Sequence, residues 1–180
     1  MKLHSNITPK LAAWIEEQKM FFVGTAPLAA DGHISNSPKG GESFRVLGPL
    51  EVAYQDYTGS GAETVAHLRE NGRIVIMFCA FEGPPQIVRL HGTGSVVLPG
   101  DPRFDELAKH FPEKPGMRAI IHIKVTRVTD SCGYSVPYYA YKGDRDILDK
   151  WAKVKGAEKL GEYRAEKNQR SIDGLPSFDA

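Results

Sequence analysis

The chain has 180 residues, enough for one domain whose hydrophobic core needs no disulfide or metal to hold it. Its 23 lysines and arginines balance 22 acidic residues, and a net charge of +1 gives no electrostatic basis for binding nucleic acid or an anionic membrane. Two cysteines cannot build a disulfide framework or a four-cysteine zinc site. We find neither a signal peptide nor a run of the roughly 20 apolar residues that span a bilayer, and we therefore expect a cytoplasmic protein.

The spacing of apolar residues, read with the turn signals between them, predicts short strands joined by tight turns and a few helices. In chain order these are a helix over residues 8–18, strands over 20–26, 33–39, 43–47 and 51–57, a helix over 63–71, strands over 73–81 and 87–98, a helix over 101–111, and a strand over 117–129. The strand over 73–81 is the most apolar and is expected to be central. Most connections are too short for a parallel crossover, which favours an antiparallel barrel.

Local signals fix several boundaries. Thr8 can cap the first helix, with Pro9 at its first position. Asp101 is expected to cap the helix before residue 111 in the same way. Gly92 and Gly94 interrupt the strand over 87–98 and predict a bulge or a sharp bend there.

The C-terminal part differs from the rest in composition. After Gly143 charges are dense and apolar residues recur at helical spacing, interrupted by Gly156 and Gly161. We therefore predict a barrel domain at residues 1–142 and a helical extension at residues 143–180, which packs on the barrel or on a dimer partner.

The stretch from Tyr57 to Thr64 has the features of a phosphate site. It follows a strand and opens a helix, its glycines let a ligand approach the backbone, and the helix start offers unpaired N–H groups to an anion. It matches neither the Walker motif nor the dinucleotide fingerprint. The alternative is an ordinary strand–turn–helix junction in which Ser60 is the helix cap.

Three other sets of residues can carry chemistry. Lys39, beside two glycines, can reach a phosphate as a mobile charge or can be an exposed turn residue. Cys132 lies in a segment that could line a pocket, although a structural turn is favoured over a nucleophile. His91 and His122 could meet across paired strands, but no third candidate ligand accompanies them, and we expect no metal site.

Taken in order, the segments FFVGTAPLAADGHISNSPKG, VAYQDYTGSGAETVAHLRENGRIVIMF and IVRLHGTGSVVL resemble the pyridoxamine 5'-phosphate oxidase-like family with the FMN-binding split barrel. The resemblance covers roughly residues 8 to 130. It implies a mainly β (α+β) fold, a six- to seven-stranded antiparallel split β-barrel with peripheral helices. It also implies a homodimer with FMN at the subunit interface. The C-terminal part resembles an uncharacterised subgroup of the family.

The resemblance assigns cofactor-binding residues by position. Tyr57 and Thr58 match the strand end that holds the FMN phosphate, and the second strand of the hairpin borders the flavin ring. At the helix start, Glu63 and Thr64 replace an Arg-Lys pair that is common in the family. By position in the chain, Asn168 and Ser171 are expected to reach the partner's flavin. The candidate cofactor-binding set is Ser37, Pro38, Lys39, Gly40, Tyr57, Thr58, Gly59, Ser60, Gly61, Glu63, Thr64, Asn168 and Ser171.

The expected function is that of an FMN-dependent oxidoreductase acting on a small organic substrate. The alternatives are a flavin carrier, a deazaflavin or haem binder on the same barrel, and a structural or regulatory protein with an empty pocket. The oxidase's C-terminal Trp and Arg, which engage its pyridoxal substrate, have no counterpart here, and we do not expect oxidation of vitamin B6. No catalytic side chain is identified.

Overall fold

The computed structural model describes residues 1–178, which form eight strands and four helices. The strands are β1 (Lys2–His4), β2 (Met20–Thr25), β3 (Ser35–Gly40), β4 (Phe44–Gly48), β5 (Glu51–Tyr57), β6 (Arg73–Cys79), β7 (Ile87–Val97) and β8 (Met117–Ser131). The helices are α1 (Pro9–Glu17), α2 (Glu63–Glu70), α3 (Phe104–Ala108) and α4 (Ile147–Lys167). No helix in this range is long and apolar enough to cross a membrane.

The strands form one antiparallel sheet in the order β3-β2-β6-β7-β8-β5-β4, and β1 pairs with β8 beside this path. The sheet curls into a half-barrel, which confirms the predicted mainly β split barrel with peripheral helices. β6, the strand expected to be central, is interior and lies between β2 and β7. The short strand β1 has no counterpart among the predicted elements.

Alternating side chains of the strands fill the core. Phe21 of β2 packs against Phe78 of the neighbouring strand β6, with ring centroids 5.7 Å apart. It also packs against Tyr54 of β5 at 5.6 Å, which joins strands that lie far apart along the sheet. Val65 and Leu68 of α2 belong to the same buried cluster. Because both faces of β5 are covered, five consecutive residues from position 52 to position 56 are buried, and two of them are polar.

The predicted helix and bulge boundaries are largely confirmed. The side chain of Thr8 accepts a hydrogen bond from the Leu11 backbone N–H, so it caps α1 as expected. The register of β7 against β8 shifts between His91 and Gly92, so the predicted irregularity lies at Gly92, although the extra residue is Thr126 of β8. A Cβ at Gly92 would lie 2.3 Å from the Lys124 carbonyl oxygen, so this close approach requires glycine.

The helix predicted over residues 101–111 is wrong in extent. α3 covers only Phe104–Ala108, and Asp101 closes a turn by accepting from the Arg103 N–H at 2.9 Å. After the helix, the N–H groups of His110 and Phe111 bond back three residues, in tight turns that bury the Phe111 ring. The tight turns that accompany burial of this aromatic side chain replace the last helical turn.

Two further expectations are corrected. Gly156 has a φ of 71° and breaks the helical pattern as predicted, but Gly161 remains inside α4. His91 and His122 do not meet across the strands, because His91 pairs with Arg127 and His122 pairs with Ser95. The residue opposite His122 is therefore four positions beyond His91 along β7.

Candidate functional site

The ends of β3 and β5 meet at one cavity of about 1000 Å³. The two strands lie far apart in the strand order, and the curl of the sheet brings their ends together. The cavity is lined by six of the predicted cofactor-binding residues: Pro38, Lys39, Gly40, Tyr57, Thr58 and Gly59. Its volume is at the upper end of the range for small-molecule and cofactor sites, which is about 300–1,000 Å³.

Aromatic and apolar side chains from three other parts of the chain also line the cavity. Tyr139 and Tyr141 line the cavity together with Phe81 and Leu148. The N–H of Tyr139 donates to the Phe81 carbonyl at 3.0 Å, and the two rings lie 5.6 Å apart. Cys132 is exposed and does not line this cavity, so the predicted pocket wall lies several residues further along the chain.

A buried charge cluster lies next to the cavity. Lys39 Nζ is 2.9 Å from Asp56 Oδ1, and Arg118 Nε is 2.7 Å from Asp56 Oδ2. Burial raises the pKa of Asp56, but the two cations more than offset burial and hold that pKa below its ordinary value. Two cations share one carboxylate, which leaves one net positive charge. Lys39 is therefore not the mobile, unpaired charge that the sequence suggested.

A β-bulge directs Arg118 towards this cluster. Asp56 pairs with Ala119 and Tyr57 pairs with Met117, which leaves Arg118 as the extra residue of β8. Bulges commonly re-aim a side chain next to a functional site. The Arg118 side chain is buried, and sequence reasoning had missed it. The available signal was a charged residue in an apolar strand, since a buried arginine requires a partner.

The Arg118 guanidinium and the Asn168 side chain together hold the loop between β5 and α2. Arg118 donates from Nη2 to the Gly61 carbonyl at 2.9 Å and from Nη1 to Asn168 Oδ1 at 2.8 Å. Asn168 Nδ2 donates to the Gly59 carbonyl at 2.8 Å and to the Ser60 carbonyl at 3.4 Å. The Ala62 carbonyl accepts from Ser177 Oγ at 3.1 Å. Four successive carbonyl groups are thus satisfied by one cluster of side chains.

This arrangement fixes the direction of the amides. All peptide bonds in the described residues are trans, and the C=O and N–H of a trans peptide point in opposite directions. The N–H groups of residues 60–63 therefore point away from Arg118 and Asn168. Within residues 1–178 these four N–H groups have no backbone or side-chain acceptor. Successive N–H groups that point to one side form a concave site for an anion.

The side chains of the loop divide into two groups. The Tyr57 hydroxyl donates to Gln55 Oε1 at 2.7 Å, and the Thr58 hydroxyl donates to the Gly116 carbonyl at 2.8 Å, so both hydrogens are already used. Burial, followed by the Asp149 charge, raises the pKa of Tyr57 to about 12. The hydroxyls of Ser60 and Thr64 bond to no other residue within 1–178.

The start of α2 lacks the cap that the alternative reading of the loop assigned to Ser60. The residue at the N-cap is Ala62, and no side chain caps the helix, so Ser60 does not have the capping role that an ordinary junction would give it. Glu63 occupies the first turn, and its carboxylate lies 2.7 Å from where a Cβ on Gly61 would be. The first turn therefore keeps free N–H groups beside an acidic side chain.

Of the three remaining predicted residues, one contacts the loop and two do not. Ser37 is half-buried on β3 opposite Val23. Asn168 contacts the loop of its own chain, through the bond from its Nδ2 to the Gly59 carbonyl. Ser171 forms a closed turn with Leu175, in which its Oγ accepts from the Leu175 N–H at 3.1 Å and its N–H donates to the Leu175 carbonyl at 2.9 Å. Of the two tail residues, only Asn168 is therefore brought to the site.

Comparison with known proteins agrees with this architecture. Residues 7–132 match the family described as Pyridoxamine 5'-phosphate oxidase. The Pyridoxamine 5'-phosphate oxidase family protein ustO of Aspergillus flavus is 41% identical over 192 residues, covering 97% of this chain and 77% of that protein.

Solved structures share the fold at lower identity. HupZ of Group A Streptococcus is 23% identical with a TM-score of 0.56, covering 74% of this chain and 99% of that chain. A Lactobacillus delbrueckii protein, provisionally named a pyridoxamine 5'-phosphate oxidase, is 17% identical with a TM-score of 0.55, covering 72% and 99% respectively. The family match and the fungal relative together show that the chain belongs to the pyridoxamine 5'-phosphate oxidase family.

Proposed function

We propose that this protein is an FMN-binding flavoprotein whose loop at residues 57–64 holds the FMN phosphate and whose cavity holds the flavin ring. The observation that carries the proposal is the row of outward N–H groups at residues 60–63, which directly follow Thr58 and Gly59 in the lining of a cavity of about 1000 Å³. Membership of the pyridoxamine 5'-phosphate oxidase family supports the same cofactor class.

The donor set fits a phosphate even though the family's Arg-Lys pair is absent. Backbone N–H groups and the hydroxyls of Ser60 and Thr64 supply hydrogen bonds, and the start of α2 adds the favourable end of the helix dipole. The cluster of Lys39, Asp56 and Arg118 adds one net positive charge behind the loop. Glu63 opposes these contributions with its negative charge. Binding therefore depends on the backbone more than on mobile cations.

The proposed activity is that of an FMN-dependent oxidoreductase of a small organic substrate. Bound flavin supplies hydride chemistry, and the protein supplies position and electrostatics. Tyr139 and Tyr141 line the same cavity as Lys39 and can offer ring faces to a flat ligand. Lys114 and Asp149 in the same cavity are ion-paired at 2.8 Å, so neither is a free acid or base in this state.

A second copy of the chain is the proposed partner. On the outer face of the sheet, Pro38 of β3 pairs with Phe22 of β2, which pairs with Met77 of β6, and this apolar row is exposed or half-buried. A second copy that covers this row would also lie next to Lys39 and the cavity, because Pro38 and Lys39 both line the cavity. Light scattering with bound FMN is expected to give the mass of two chains, and a concentration-independent monomer would contradict the assembly.

Reconstitution with FMN tests the proposed function. The protein is incubated with FMN and desalted, and its absorbance is recorded before and after addition of NAD(P)H in the absence of air. We expect retained flavin absorbance, bleaching by the reductant and recovery in air. Retention without bleaching would indicate a flavin carrier, and failure to retain any flavin would contradict the proposal.

A further inference from the structure

We infer that Asn168 and Arg118 are positioning residues that hold the phosphate loop of their own chain with its N–H groups turned outward. This inference rests on the proposed function, because it explains how the loop binds a phosphate. It assigns the C-terminal segment a role within its own subunit, where the sequence had suggested contact with a partner's flavin.

The first argument is the completeness of the Asn168 contacts. Its side chain is fully buried, its Oδ1 accepts from Arg118 at 2.8 Å, and its Nδ2 donates to the Gly59 carbonyl at 2.8 Å. An amide is the one common side chain of this size that both donates and accepts at fixed positions. Asn168 therefore couples the guanidinium to the loop backbone.

The second argument is that Arg118 is itself held by several partners, with four hydrogen bonds from its five N–H groups. It is 6% exposed, it pairs with Asp56, and its Cζ lies 4.7 Å from the centroid of the Phe178 ring. Its fork also donates to the Gly61 carbonyl at 2.9 Å. With its hydrogens directed to the carboxylate, the amide and the loop carbonyls, the guanidinium acts on a bound phosphate through the loop it holds and through its charge.

The third argument is that the tail is anchored on both sides of this contact. The Ser177 N–H donates to the Gln169 carbonyl at 2.9 Å, and the Phe178 N–H donates to the Asn168 carbonyl at 3.1 Å. Ser177 Oγ reaches the Ala62 carbonyl. The segment after α4 is thus folded back on itself and fixed to the loop, so Asn168 is held in one orientation.

Replacement of Asn168 by aspartate separates positioning from folding. Asn168→Asp keeps the size and the bond from Arg118, but the carboxylate cannot donate to the Gly59 carbonyl and repels the loop carbonyls. We expect the ratio of the riboflavin Kd to the FMN Kd to fall by about tenfold, with the riboflavin Kd itself unchanged. A purely structural defect would weaken both ligands equally.

The chain offers a matched control at the other end of α2. Asn71 caps that helix, donates to the Ala26 carbonyl at 2.9 Å and accepts from the Arg73 N–H at 2.9 Å, so it has similar chemistry away from the loop. Asn71→Asp is expected to leave the ratio unchanged. Arg118→Lys keeps the charge beside Asp56 but lacks the fork, and it is expected to lower the ratio as Asn168→Asp does.

A measurement without flavin makes the two proposals separable. In the cofactor-free protein, inorganic phosphate is expected to shift the amide NMR signals of Ser60 and Gly61, and Asn168→Asp is expected to remove most of that shift. Equal affinity of the wild type for FMN and riboflavin would overturn the proposed function alone. Unchanged phosphate shifts in Asn168→Asp, or an unchanged ligand ratio in that variant, would overturn the positioning role.

Discussion

The two sides of the loop at residues 59–62 are built in opposite ways. On the carbonyl side, Arg118 of β8, Asn168 at the end of α4 and Ser177 of the C-terminal segment together satisfy all four oxygens, and all three side chains are buried. On the amide side, the N–H groups have no acceptor within residues 1–178, and Ser60 and Gly61 are exposed. The rigid side gives the loop one shape, and the open side is where we propose that the phosphate binds.

The largest expected effect comes from removing the carboxylate that supports the rigid side. Asp56→Asn leaves Lys39 and Arg118 without their shared counter-charge, and breaking a buried ion pair in this way costs about 3–5 kcal/mol of unfolding free energy. Urea unfolding measures this directly. A loss of unfolding free energy below about 1 kcal/mol would show that the cluster of Lys39, Asp56 and Arg118 does not stabilise the carbonyl side of the loop.

The same substitution changes the response to acid. The folded pKa of Asp56 lies below its unfolded value of about 3.9, so its contribution to stability is present above that pH and is lost as the pH falls through the folded pKa. The wild type is therefore expected to lose stability more steeply below about pH 4 than Asp56→Asn. Parallel pH profiles for the two proteins would contradict the lowered pKa.

A smaller effect distinguishes the two groups of loop hydroxyls. Thr58→Val removes the hydrogen bond from the Thr58 hydroxyl to the Gly116 carbonyl, but that carbonyl still accepts from the Thr58 N–H at 2.8 Å. We therefore expect a loss of about 1 kcal/mol in unfolding free energy and no change in the preference for FMN over riboflavin. Ser60→Ala is the matched variant on the open side. It is expected to leave stability unchanged and to reduce the preference for FMN several-fold. A thermal melt measures stability and a flavin titration measures the preference. If Thr58→Val lowered the preference and Ser60→Ala lowered the stability, the assigned roles of the two hydroxyls would be wrong.

The smallest expected effect is that of the partly exposed Lys39. Lys39→Met keeps the apolar stem but lowers the charge of the cluster from one positive charge to none. We expect FMN affinity to fall by about 1 kcal/mol or less at low salt, with a smaller loss at high salt. Lys10→Met on α1 is the control for net charge. Identical FMN affinity in both variants and the wild type would show that Lys39 does not act on the phosphate.

Sequence reasoning recovered the fold because its signals are local. The alternation of Ile121, Ile123 and Val125 in β8, the cap at Thr8 and the register shift at Gly92 each depend on a few neighbouring residues. The prediction failed where a distant contact decides, as in the shortened α3, whose end turns back to bury Phe111. Packing between remote segments is not encoded in local periodicity.

For the candidate site, the sequence likewise indicated the local segment and missed the distant contacts. The loop was recognised from its glycines and hydroxyls, but Asp56 and Arg118 were missed because the contact between them spans 62 residues. The hydroxyl of Thr58 was assigned to the ligand, whereas in the folded chain it donates to the Gly116 carbonyl. The sequence therefore identifies the open side of the loop, and only the structure reveals what holds the other side.

The most direct test of the account compares FMN with riboflavin in the unmodified protein, because the two ligands differ only in the phosphate. Two or three hydrogen bonds to a charged group, each worth about 1.5–3 kcal/mol, and about 0.3–1 kcal/mol from the helix start, less desolvation, favour FMN by about a hundredfold or more. Fluorescence titration measures both affinities. A preference of that size is the predicted result, and equal affinity for the two ligands would contradict the central claim.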